Sequence, residues 1–128
     1  MRDKTDKTLA DEILSIDEES QLISEMSNLD QSDTGIKGII YVSTVEGNHG
    51  PRIKYQTNIR DKKRYVAISL EEEPQVRKNT DKSVSQNIIN QCIEFARINR
   101  EALINFWFNG HNMTKIEVQQ LLNGLTKV

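Results

Sequence analysis

The chain has 128 residues, 36% hydrophobic and 28% charged, with a net charge of −2, a length and balance suited to one domain with a modest core. No run approaches the roughly 18 apolar residues of a membrane span, and the opening "MRDKTDKTLADEILSIDEES" lacks the apolar core of a secretory signal. A single cysteine, Cys92, excludes an internal disulfide framework and a cysteine-based zinc knuckle, so a cytoplasmic protein without cofactor or resident metal is expected.

Charge is unevenly spread. Residues 1–35 hold ten acids and three bases, a net of −7, and residues 36–128 hold nine acids and fourteen bases, a net of +5. An acidic arm on a mildly basic body can fold back on it or compete with an anionic partner; a solvated acidic tail is the plainer alternative. Within the arm, Leu9, Ile13 and Ile16, then Leu22, Met26 and Leu29, recur at helical spacing. Ser15 and Glu18 have the form of a capping box, in which hydroxyl and carboxylate each satisfy a free backbone amide. Asp17, Glu18 and Glu19 would then occupy a first turn, where the helix dipole favours negative charge. Helices this short are marginal alone, so Ile13, Ile16, Leu22 and Met26 are expected to meet a partner surface in this chain or another. "SNLDQSDTG" reads as a linker. That places the domain boundary at residue 35, with an arm over 1–35 and a domain over 36–128.

The body begins with "IKGIIYVSTV", apolar on both parities and suited to a strand covered on both faces. "RIKYQT" alternates, with Ile53 and Tyr55 on one face and Arg52, Lys54 and Gln56 on the other, and "RYVAISL" supplies a third strand. "EEEPQVRKNTDKS" reads as a polar connection. From Ser85 onward Ile88, Cys92, Phe95 and Ala96 form a helical stripe. Asn99 is expected to cap a second helix that Gly110 ends, and Thr114 with Glu117 opens a third. The fold class is therefore α+β: a three-stranded antiparallel meander, then two or three helices on one face, preceded by a helix-prone arm.

Candidate sites centre on "EGNHGPRIKY". Gly, Asn and Pro account for a turn by themselves, yet Asn48, His49 and Gly50 with Arg52 and Lys54 could also hold an anion through backbone amides and cationic side chains. Arg60, Lys62, Lys63 and Arg64 follow closely, and the expectation is one basic patch around one hairpin. Neither His49 nor His111 has a cysteine or carboxylate at metal-ligand spacing. Cys92 falls on an apolar stripe and reads as a core thiol. No nucleophile–base pair or phosphate-loop signature is present. Trp107 reads as core, and Phe106 and Phe108 cannot both share its face.

"HGPRIKY", "INREALINFW" and "TKIEVQQLL" together resemble a group of small, uncharacterised bacterial and phage-type domains. Their pattern is a meander with a His–Gly–Pro-like turn, an N-R-E-x-L-x-x-x-W helix and a terminal amphipathic helix. The group is similar to domains near toxin–antitoxin or mobile-element genes, so the resemblance implies a fold more than an activity. The leading expectation is a non-enzymatic module that binds another protein, with no membrane contact. A nucleic-acid binder whose acidic arm competes for the basic hairpin is the second reading, and a small hydrolase or nuclease using His49 is the third.

Overall fold

The computed structural model describes residues 27–45 and 49–128. Five strands lie in chain order across one antiparallel sheet: β1 (Asn28–Leu29), β2 (Ile39–Tyr41), β3 (Arg52–Gln56), β4 (Val66–Ser69) and β5 (Val76–Asn79). A single turn of helix, α1 (Gln31–Thr34), joins β1 to β2. After the sheet come α2 (Gln86–Ile98), α3 (Arg100–Asn109), a 3-10 turn (Gly110–Asn112) and α4 (Lys115–Asn123). The expected arm contacts Ile13, Ile16, Leu22 and Met26, and Asn48 of the turn, lie outside the described residues.

The α+β class is as read from the sequence, but the meander has five strands among the described residues rather than three. Residues 27–35, expected to be a linker, belong to the fold. Asn28 and Leu29 pair with Tyr41 and Ile40, and Leu29 and Thr34 are buried. Asp30 caps α1 reciprocally with Asp33, and Gly35 ends it at φ 82°, a left-handed conformation that glycine adopts without steric cost. The second unforeseen strand is β5, inside the expected polar connection. Its residues Val76, Arg77 and Lys78 are exposed, so no alternation marks it, and pairing with β4 alone makes it a strand. As a sheet edge carrying Arg and Lys it is guarded against further pairing.

One sheet face is apolar because alternate residues point the same way. Ile40, Ile53, Tyr55, Val66 and Ile68 lie on it and meet Cys92, Phe95, Leu103, Phe106 and Val118 of the helices in a single buried cluster. Burying each large apolar side chain contributes about 1.5–3 kcal/mol. α2 starts where Ser85 accepts from the Ile88 amide, and α4 starts at the Thr114–Glu117 capping box, both as the sequence indicates. Asn99 differs. It stands at the N-cap position of α3 but makes no capping bond with its side chain. Its amide instead donates to Phe95 O at 3.0 Å and Thr126 O at 2.8 Å, and its oxygen accepts from Thr126 N at 2.7 Å. Gly110 ends α3 in right-handed conformation; glycine is needed there because a Cβ would come within 2.7 Å of Thr44 Cγ2 and 2.8 Å of the Phe106 ring.

Candidate functional site

A groove of about 590 Å³ opens at the end of the sheet where β3 begins and β4 ends. The turn before β3 contributes His49, Gly50 and Pro51, and Arg52 opens the strand itself. Antiparallel register sets Arg52 opposite Ser69, and Leu70 N donates to Pro51 O at 2.9 Å, which brings Ser69, Leu70 and Glu71 to the same end. Helix α3 forms the opposite wall through Arg100, Ile104 and Phe108. A volume of this size matches a site for a small ligand or a few peptide side chains.

Arg77 reaches the groove through an irregularity in β5. Ala67 faces Lys78 while Ile68 faces Val76, which leaves Arg77 as an extra residue in the ladder. Such a bulge re-aims a side chain, and the Arg77 guanidinium pairs with the Glu71 carboxylate through Nε at 2.7 Å and through Nη2. Hydrogen bonding from Arg77 holds the Glu71 carboxyl below the usual carboxylate range.

Arg100 sits in the first turn of α3, against the dipole preference for acids there. What holds it is a pair of backbone carbonyls: Nε donates to Leu70 O at 2.9 Å and to Glu71 O at 2.8 Å. This fastens α3 to the end of β4. Its Nη groups have no partner among the described residues, and neither does Arg52 Nε, although that atom is buried. Among the described residues three arginines thus line the groove against one carboxylate, and that carboxylate is already committed to Arg77. An unmatched buried donor is costly, about 1–3 kcal/mol unless a partner is supplied.

The remaining wall is apolar, from Pro51, Leu70, Ile104 and Phe108. Of the three aromatics expected to compete for one face, Phe106 and Trp107 are buried and Phe108 is 52% exposed, so Phe108 is the one that reaches the rim. The His49 ring lies 5.7 Å from the Trp107 ring, tilted by 47°, and its Nδ1 is 3.2 Å from Gly50 O. Among the described residues no hydrogen bond joins His49 to a carboxylate or hydroxyl, and no group of three potential metal ligands forms.

The basic patch expected around one hairpin is divided. Arg52 and Gly50 line the groove. Arg60, Lys62, Lys63 and Arg64 lie in the turn after β3, at the other end of a five-residue strand, about 17 Å away at the usual strand rise. Arg64 is engaged there with buried Asp81 at 3.0 Å. Lys54 sits on the sheet face away from the helices, opposite Ala67, with its ammonium 5.0 Å from the Tyr65 ring centroid. Lys78 approaches the same ring at 5.9 Å. Nothing in the spelling of the sequence marks Glu71, Arg77 or Ile104 as site residues. Arg100, a cation placed where a helix start favours an acid, and Phe108, crowded off the buried face of Phe106 and Trp107, each carry a legible signal.

No family model, curated protein or solved structure matches this chain.

Proposed function

We propose that the protein is a binding module whose groove captures an acidic, partly apolar segment of another protein. The observation that carries this reading is the mismatch, among the described residues, between the groove's cations and its acids. Arg52 and Arg100 bring donors without partners among the described residues to a wall otherwise made of Pro51, Leu70, Ile104 and Phe108. A carboxylate meets a guanidinium in a paired, charge-assisted geometry worth about 1.5–3 kcal/mol when water is excluded. A neighbouring Leu or Ile side chain would cover Phe108, and the two together specify acidic–apolar sequence.

The nucleic-acid reading has less support. Base stacking needs a free aromatic face, and Tyr65, beside the sheet's cations, already has Lys54 and Lys78 next to its ring. The hydrolase reading lacks a base partner for His49 among the described residues.

The test is fluorescence anisotropy with the full chain and two 12-residue peptides. One has Asp and Glu interspersed with Leu and Ile; in the other every acid is replaced by Lys. The acidic peptide should bind and weaken as salt rises, while the basic one should not bind. Arg52→Gln should weaken binding about tenfold, as expected for one charge-assisted contact, and Phe108→Ser should weaken it by a similar factor, about one large apolar contact's burial. Equal binding of both peptides, or no change in either variant, would overturn the proposal.

A further inference from the structure

Resting on the groove reading just given, we infer that the groove has a resident competitor: residues 9–26 of this same chain seat in it and must leave before a partner binds. Three independent observations converge on that segment.

The first is position. Val42 N donates to Ser27 O at 3.1 Å, which continues the ladder one step beyond Asn28–Tyr41. Across the sheet, Tyr41 faces Lys54, so the row holding Ser27 and Val42 is the row of Ile53. The next row is that of Arg52 and Ser69. The chain preceding Ser27 therefore joins the sheet at the groove's end and not at the end of the basic hairpin.

The second is reach. From β1 to β3 is two strand spacings and to β4 three, about 10–14 Å. Ile13 to Glu19 precede Ser27 by fourteen to eight residues. Even at the 1.5 Å per residue of a helix, that length spans about 12–21 Å. The acidic stretch is thus long enough to arrive without being so long that its local concentration is lost.

The third is chemistry. Residues 1–26 carry eight acids and three bases, opposite in sign to the groove. Asp17, Glu18 and Glu19 lie directly beside Ile13 and Ile16, the acidic–apolar pairing the groove selects. A tether of this length gives an effective concentration on the order of 1 mM. Against an intrinsic Kd on the order of 100 µM, the closed form would outnumber the open by about ten to one, and an external ligand would bind about tenfold more weakly.

The experiment compares the full chain with the full-length triple variant Asp17→Asn, Glu18→Gln, Glu19→Gln, using a labelled synthetic peptide of residues 9–26 as probe. Seating in cis predicts about tenfold tighter probe binding to the triple variant, removed again by adding Arg52→Gln. Equal binding to both chains, still lost with Arg52→Gln, would overturn the resident competitor and leave the groove reading standing. Absence of binding to either chain would overturn both. Phe108→p-benzoylphenylalanine gives a second readout: irradiation should link position 108 to residues 9–26 within one chain. Links only between chains, seen as dimers, would refute seating in cis in favour of a second copy.

Discussion

Replacing Asn99 tests whether one buried amide ties the end of the described chain to the helical layer. Asn99→Ala removes three hydrogen bonds: from its amide to Phe95 O and Thr126 O, and to its oxygen from Thr126 N. The first is the least costly, because Phe95 O still accepts from Asn99 N at 3.1 Å. The other two leave both backbone groups of Thr126 without their partner. At about 1 kcal/mol net for each bond, the expected loss is about 2–3 kcal/mol. It is limited above by the free energy of docking residues 126–128, since those residues can instead come off into water. Val128 N, which donates to Thr34 O at 2.9 Å, should be released with them. Urea denaturation followed by Trp107 fluorescence measures the stability, and hydrogen exchange at the Thr126 and Val128 amides reports the local release. Asn99→Ser separates the two roles of the position. Serine is a good N-cap but too short to span both groups of Thr126, so it should lose nearly as much as alanine. A loss below about 0.5 kcal/mol in Asn99→Ala with unchanged protection at Thr126, or full retention in Asn99→Ser, would refute the clamp.

Three further outcomes follow from the packing and electrostatics. Asp81 has its pKa lowered, chiefly by the Ser83 hydroxyl and then by the Ser83 amide and Arg64. A carboxyl depressed in the folded state adds stability that is complete above its ordinary value of 3.8 and is lost as pH falls through the lower folded value. Asp81→Asn should therefore reduce stability at pH 7 and flatten the acid limb of a stability–pH profile; an unchanged limb would contradict the assignment. Burial pushes the Cys92 thiol up to about 12, so a thiol reagent at pH 8 should react only at the rate of unfolding, accelerating in urea, and prompt reaction in buffer would contradict its burial. Gly110→Ala should cost about 1–3 kcal/mol by overpacking against Thr44 and Phe106, measurable as a lower thermal midpoint, whereas a neutral result would show that the 42–45 segment yields.

How much of the fold could be read along the chain tracks how far each determinant reaches. The starts of α2 and α4 rest on contacts three residues apart, Ser85 to Ile88 and Thr114 to Glu117, so local spelling was enough. The apolar stripe of α2 and the alternation of β3 were equally legible, since periodicity alone assigns a core face. β5 was not, because Val76, Arg77 and Lys78 follow no buried pattern and only the β4 backbone makes them a strand. Composition misled at residues 27–35, where polar residues serve as caps and a strand edge. At the candidate site, His49, Gly50 and Arg52 are neighbours in the chain and were found together.

Sequence by itself determined the three helices that follow the sheet, the apolar face of β3, and that the front of the chain is acidic while the remainder is basic, because all of these are properties of residues within a few positions of one another. Only the tertiary structure decided that the cations near one hairpin separate to opposite ends of the sheet, and that Arg52 meets Arg77 and Arg100 from segments 25 and 48 residues further on. Antiparallel register, a bulge in the edge strand and the docking of α3 on the Leu70 and Glu71 carbonyls just beyond β4 set that meeting. Each is a long-range pairing whose cost in chain entropy is offset by the whole core at once, and no local pattern encodes it.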